Sequence, residues 1–338
     1  MVDGMRQRER AGAKPVSRAA LLSLMDSLPP RVTSRFRVGA SNGSEGIESI
    51  YIETFIRPDE LNGRPGKSVL QKVEQAIAVA SKEGAQVATL GGFTSIFVEA
   101  GAKIPADAPA LTSGNTLTAA LIVRGIERAL SGLGRNLSTE DVLVIGASGD
   151  IGSGVSRWLA GRCRSLTLAA RNRQRLERER AILSGEGRVE IAYDVAAALS
   201  QATLVVAAAS TTDNPFPLDK CRPGTLLCDA GYPKNLAARV PQGVHLFHGG
   251  MGEISGGLPS HDGMLEQFYR FPQQGIAHGC MLEGAVLALA GRYEPFSQGR
   301  GRITPQRIDE IWALASTHGV SPAPLFNDAG LWLAERCM

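Results

Sequence analysis

Residues Val142–Gly154 read Val-Leu-Val-Ile-Gly-Ala-Ser-Gly-Asp-Ile-Gly-Ser-Gly, and this run constrains the fold more than any other. An apolar segment ends in glycines at 146, 149 and 152. That is the grammar of a strand, a tight turn and a helix N-terminus. The first glycine permits the turn, the second lets backbone approach a pyrophosphate, and the third lets the helix pack on the strand. The helix start adds N–H groups and the positive end of a dipole. The run predicts a bound dinucleotide, with Gly146, Ser148, Gly149, Asp150, Ile151 and Gly152 around its phosphates. Asp150 is a negative charge in that turn, so its carboxylate should point away or cap the helix.

From this run the chain alternates. Val142–Ile145, Leu166–Ala170, Val189–Ala192, Leu204–Ala208, Leu226–Cys228 and Val244–Phe247 read as strands. Ser153–Arg162, Arg173–Leu183 and Val195–Ser200 read as helices between them. Short apolar strands separated by helices imply a parallel sheet covered on both faces. The expected class is α/β: a central NADP-binding Rossmann domain with a parallel sheet, flanked by an N-terminal α/β domain and C-terminal helices. Residues 1–118 form the N-terminal, substrate-side part, 119–258 the dinucleotide domain, and 259–338 a helical segment.

The first part begins with a polar tail and a short helix at Ser17–Leu28. Arg35–Val38 and Ser49–Phe55 are strand-like, Lys67–Lys82 is an amphipathic helix, and Val87–Leu90 is a buried strand. Gly91–Ile96 follows that strand, and Thr112–Thr116 precedes a helix at Leu117–Leu130. Such small, polar clusters serve as turns and caps or let backbone approach a ligand. Gly92, Thr94, Ser95, Asn115 and Thr116 are thus candidates to hold a substrate carbonyl oxygen. At the other end, Gly249–Gly263 lacks any period and reads as a loop. Gly275–Ala290 and Pro305–His318 read as helices, and Ala329–Arg336 as one more.

The second strand ends Ala169-Ala170-Arg171-Asn172-Arg173. An acidic residue near this point binds a ribose 2′-hydroxyl, whereas arginine suits a 2′-phosphate. No acidic residue lies between Leu166 and Leu176, which selects NADP(H), with Arg171 first, then Arg173, and Asn172 between them. Tyr232 is placed to pack against the nicotinamide or within a turn beside Pro233. Lys234 is placed to bind the nicotinamide ribose or a carrier phosphate, or to lie on the surface.

Bulk properties exclude other classes. A net charge of +3 over 338 residues gives no case for nucleic acid. The five cysteines form no C-x-x-C pair and no metal spacing, so no metal is expected; an odd count in a large chain fits reduced thiols and a cytoplasmic setting. Met1–Arg18 is polar and basic, unlike a secretory signal. No stretch approaches the ~18 uninterrupted apolar residues of a transmembrane segment.

Cys280 opens an amphipathic stretch. On a helix Glu283 and Gly284 lie beside it, with Gly284 leaving space next to the sulfur and Leu282 and Val286 facing the core. Composition alone favours a buried, inert cysteine. A helix beginning at Gly279 would lend its dipole to a thiolate, and one beginning near Phe271 would not. His278 is a candidate proton carrier.

The chain resembles the cyanobacterial-type long-chain acyl-[acyl carrier protein] reductases from about Ile50 to Ser321. The matching stretches are Tyr51-Ile52-Glu53, Leu90–Ile96, Ser113-Gly114-Asn115-Thr116, Gly146–Ser153, Ala170-Arg171-Asn172, Asp229–Leu236, and Cys280 with Glu283. The resemblance implies NADPH-dependent reduction of a fatty acyl thioester to a fatty aldehyde, with Cys280 carrying the acyl group and Glu283 in the catalytic set. It also implies acyl carrier protein or coenzyme A as the thioester carrier, and an aldehyde-consuming enzyme as partner. The loop Met251–Gln274 diverges from the family. Two alternatives keep the same NADP domain: a shikimate-dehydrogenase-like ketone or alcohol oxidoreductase without a covalent intermediate, and a non-catalytic NADPH-binding protein.

Overall fold

The computed structural model describes residues 17–39, 46–56, 66–91, 94–95, 101–209, 216–232, 234, 236, 240–261, 263, 269–299 and 301–332. Of the expected site residues, Gly92 lies outside them.

Helix α1 (Arg18–Ser27) leads into an antiparallel hairpin of β1 (Arg31–Val38) and β2 (Ile47–Glu53). Helix α2 (Lys67–Lys82) buries Val69, Val73, Ile77 and Ala80, the i, i+4 stripe its sequence carries. Two short parallel strands follow, β3 (Val87–Thr89) and β4 (Ala110–Thr112), with Thr89 opposite Thr112.

Helix α3 (Asn115–Gly132) is the hub. It is apolar on nearly every side: Leu117, Leu121, Ile122 and Ile126 are all fully buried. Burying each such side chain stabilises the fold by about 1.5–3 kcal/mol, and an all-round apolar helix has no option but a central position. It runs across the expected 118/119 boundary, so that boundary cuts a continuous element and the first two parts share α3.

The parallel sheet comprises β5 (Asp141–Ile145), β6 (Ser165–Ala169), β7 (Val189–Ile191), β8 (Leu204–Ala207), β9 (Leu226–Asp229) and β10 (His245–His248). Its order is β7-β6-β5-β8-β9-β10, every pair parallel. This is the doubly wound dinucleotide-binding order, with the reversal between β5 and β8. Helices α4 (Asp150–Leu159), α5 (Arg173–Ile182) and α6 (Val195–Gln201) link its strands.

The last third departs from expectation. Met251–Ile254 is a strand, β11, inside the segment read as a loop. It pairs with β12 (Ile276–His278), and helix α7 (Gly279–Leu289) begins four residues later than its sequence suggested. After helix α8 (Pro305–Thr317), β13 (Val320–Pro322) pairs with the other edge of β11. Met-Gly-Glu-Ile has no alternation to announce a strand, and its partners come from distant segments. Gly252 is needed because Leu121 and Leu282 close over it: a Cβ there would lie 2.7 Å from Leu282 Cδ1. The last described elements are a hairpin of β14 (Phe326–Asn327) and β15 (Gly330–Leu331), which occupies the start of the expected Ala329–Arg336 helix; residues 333–338 lie outside the described set.

Candidate active site

The glycine turn sits at the β5/β8 reversal. Gly146 has φ +88°, and a Cβ on it would lie 2.8 Å from Ala209 N. A Cβ on Gly152 would run into the Gly146 backbone, 2.8 Å from its carbonyl carbon. Gly149 is the exposed N-cap of α4 and supplies no side-chain cap, which suits the helix N-terminus to a pyrophosphate. Ser148 and Ile151 flank it, both half-buried, and Ile151 packs on the main core.

Asp150 turns away from this cradle. Its Oδ2 accepts from Asn115 Nδ2 at 2.8 Å, and its Oδ1 from Gly301 N at 3.3 Å. The carboxylate therefore ties the start of α4 to the start of α3. It takes one of the two amide N–H groups of Asn115, a candidate to hold a substrate carbonyl.

Beyond β6 the three expected residues do different things. Asn172 caps α5, its Oδ1 accepting from Arg175 N at 3.0 Å. The Arg173 guanidinium lies 4.9 Å from the Tyr193 ring centroid. Arg171 is exposed and in no ion pair among the described residues.

Cys280 is the second residue of α7, half-buried, where the dipole favours a negative charge. Against it lies Gly114, the N-cap of α3, with φ +72°. A Cβ on Gly114 would fall 2.6 Å from Cys280 O and 2.7 Å from Cys280 Cβ. A Cβ on Gly279 would lie 2.7 Å from Thr118 Cα, on the first turn of α3. Two helix N-termini thus meet, without side chains between them, at the sulfur-bearing residue.

Glu283 locks this meeting. It is fully buried; Oε1 accepts from the Thr112 hydroxyl, and Oε2 from Leu117 N at 2.9 Å and Ser297 Oγ at 2.8 Å. Burial pushes its carboxyl above the usual carboxylate range, and these hydrogen bonds pull it back. Its position is that of a brace between α7 and the 112–117 segment. Thr116 belongs to the same network: its hydroxyl lies 2.6 Å from Ser297 Oγ, and its N–H donates to Ser297 Oγ at 3.0 Å. The space expected beside Gly284 is filled, since a Cβ there would overlap the Thr89 hydroxyl. Gly284 is small so that β3 can pack on α7.

Thr94 and Ser95 follow β3, at the strand end where Gly114 follows β4. The Thr94 hydroxyl donates to Gly91 O at 2.7 Å and closes that turn. Both residues are half-buried.

Aromatic and cationic side chains line a cavity of about 510 Å³ that includes His278, two residues before Cys280. Tyr232, Lys234, His248, Tyr269 and His278 line it. The Tyr232 and His278 rings meet edge-on with centroids 5.8 Å apart. Burial pushes His278 down to about 3 and His248 to about 4, with Lys234 adding to both shifts, so both imidazoles are neutral near pH 7. Lys234 Nζ donates to Asp229 O and Gly249 O, each at 2.8 Å. Burial pushes its ammonium below the usual lysine range, against the pull of Asp229.

The sequence pointed to Gly114 only as part of the Thr112–Thr116 cluster, and to neither Thr89 nor Ser297 as a member of this site. Each works by pairing with a residue far along the chain, and composition carries no signal for such a pair. Among the described residues no three His, Cys, Asp or Glu could hold a metal ion, and no helix is long and apolar enough to cross a membrane.

No family model matches the chain. It is 33% identical over 317 residues to a long-chain acyl-[acyl-carrier-protein] reductase of Synechococcus elongatus, covering 90% of this chain and 91% of that one. It is 29% identical over 268 residues to the aminotransferase PigE of a Serratia species, covering 77% of this chain and 30% of that one. Among solved structures, a Thermococcus litoralis Δ1-pyrroline-2-carboxylate reductase in complex with NADH and L-proline aligns with TM-score 0.31 at 10% identity, over 64% of this chain and 66% of that one.

Proposed function

We infer the reaction from one premise: the chain belongs to the long-chain acyl-[acyl-carrier-protein] reductase family. Membership makes it a nicotinamide-dependent oxidoreductase. We propose that it reduces an acyl thioester, carried by acyl carrier protein or coenzyme A, to an aldehyde through an acyl group on Cys280. One observation carries this reading: Cys280 stands at the start of α7 with the glycine N-cap of α3 pressed against its backbone.

The proposed steps follow from what these residues can do. The Cys280 thiolate adds to the thioester carbonyl, favoured by the dipoles of α3 and α7. The carbonyl re-forms, the bond to the carrier sulfur breaks, and the carrier thiolate takes a proton from solvent. The acyl group then hangs from Cys280 beside the β5/β8 crevice. NADPH, bound on the Gly146–Gly152 turn, would supply the hydride. The resulting hemithioacetal alkoxide collapses, frees the aldehyde and restores the Cys280 thiolate. Glu283 acts by position, holding α7 on α3.

The test omits the cofactor. Mixed with an acyl thioester and no NADPH, the wild-type chain should gain the mass of one acyl group, mapped by peptide analysis to Cys280, and NADPH should then discharge it as aldehyde. Rapid NADPH oxidation with no acyl adduct at any quench time would show a direct, non-covalent reduction instead.

The choice of NADPH rests on Arg171. A guanidinium on a 2′-phosphate makes charge-assisted bonds worth about 1.5–3 kcal/mol each. Arg171→Asp is therefore expected to shift the NADPH:NADH affinity ratio by about 100-fold toward NADH, measured by nicotinamide fluorescence titration. An unchanged ratio would remove Arg171 from the cofactor site.

A further inference from the structure

We propose that Lys234 is a catalytic residue whose ammonium donates a hydrogen bond to the oxyanion formed on the substrate carbonyl above Cys280. The proposal rests on the acyl-cysteine reading and adds the group that reading lacks.

The need for such a group comes from the geometry. A tetrahedral alkoxide in a half-buried site requires preorganised donors. Three donors at the start of α3 are already engaged. Asn115 Nδ2 bonds Asp150, Thr116 N bonds Ser297 Oγ, and Leu117 N bonds Glu283. The neutral His278 imidazole brings no charge. Among the described residues two cations line the cavity with His278, an exposed Arg270 and a Lys234 whose Nζ is held by two backbone carbonyls.

Its anchoring is specific. The Asp229 carboxylate, buried at the end of β9, accepts from Gly231 N at 3.3 Å and from Leu236 N at 3.4 Å, folding the loop that carries Lys234. Lys234 Nζ then bridges Asp229 O and Gly249 O at the ends of β9 and β10. An ammonium has three N–H donors, so one remains beyond these two acceptors. Backbone hydrogen bonds connect Lys234 to the residue before Cys280. Gly249 accepts from Lys234, and the next carbonyl, Gly250 O, accepts from Gly279 N at 2.9 Å, one residue before Cys280. A negative charge on Cys280 favours the charged lysine, against the larger effect of burial. A partly desolvated cation acts far more strongly on a nearby anion than one in water.

Lys234 would serve twice without losing its proton. It stabilises the alkoxide formed when the Cys280 thiolate adds to the thioester; collapse of that alkoxide expels the carrier thiolate. It stabilises the second alkoxide, formed when hydride adds to the acyl-cysteine carbonyl; collapse expels the Cys280 thiolate and leaves the aldehyde. The proton consumed overall comes from solvent and ends on the carrier thiol.

Lys234→Gln keeps an amide that can bond the two carbonyls and removes the charge. Without cofactor, rapid-quench release of carrier thiol by Lys234→Gln should be slower than wild type by about 100-fold. Its affinity for NADPH and its melting temperature should stay near wild type. Lys234→Arg, which keeps the charge, should recover about tenfold of the lost rate and serves as the reporter if the glutamine variant fails to fold. Wild-type acylation by Lys234→Gln overturns the proposal. So does an NADPH affinity loss of about tenfold with acylation unchanged, since that marks a lysine on the cofactor ribose. Absence of carrier-thiol release by the wild-type chain overturns the acyl-cysteine reading, and the proposal with it.

Discussion

Cys280→Ala should abolish thioester reduction and leave the protein folded and able to bind NADPH. The expected loss in kcat/KM is about 10⁴-fold or more, because a missing nucleophile removes the covalent route altogether. The expected change in stability is small, about 0.5–1 kcal/mol. The sulfur is half-buried, and the start of α7 is held by other groups: Gly279 N on Gly250 O, and the Glu283 brace inside the core. The glycine turn lies on a different element, so cofactor affinity should not move. Steady-state NADPH oxidation, thermal melting and cofactor titration on one preparation separate the three. Full activity in Cys280→Ala would return the chain to the ketone or alcohol reductase alternative.

Gly114→Ala should do the opposite and damage fold and chemistry together. The residue sits at φ +72°, where an L side chain costs about 1–2 kcal/mol. Its new methyl would also press on the Cys280 backbone, 2.6 Å from the carbonyl oxygen, and overpacking of that kind costs about 1–3 kcal/mol. The sum of about 2–5 kcal/mol is a large share of the ~5–15 kcal/mol that holds a typical domain, and the melting temperature should fall by about 5–15 °C. Relief requires α7 to move away from α3. A displacement of about 1 Å at the nucleophile costs about 100-fold in rate. Gly132→Ala is the control: it lies on the same helix, has open space around it and no positive φ, and should leave both readouts near wild type. Equal behaviour of the two variants would rule out the tight apposition of the helix starts.

The parallel sheet and its glycine turn were legible because their signals are local. A strand, a tight turn and a helix start lie within residues 142–154, and each glycine's role concerns neighbours a few positions away. The observed strands and helices of residues 141–248 follow the apolar runs to within a residue or two at most ends. α4 is the exception; it begins at Asp150, inside the motif itself. The antiparallel sheet around β11 was not legible. Gly252 looks like a loop residue until Leu121 and Leu282 are seen to need its space.

The site divides in the same way. Cys280 was identifiable as a residue, but the sequence left its helix start open between Gly279 and Phe271. Pairing of Ile276–His278 with β11 decides it, because a residue in a ladder cannot also begin a helix. Asp150 looked anomalous beside phosphates until Asn115 appeared as its partner. Asp150 takes one amide N–H of Asn115 and Ser297 takes the backbone N–H of Thr116, partners that no local pattern announces. Chain order alone determined that a dinucleotide turn lies in the middle of this protein and that a cysteine stands beside glycines downstream. Tertiary structure alone decided that Gly114 and Gly279 are small for the same reason. Contact between two helix starts is a property of their packing around one core, and residues more than 160 positions apart have no local rule that could announce it.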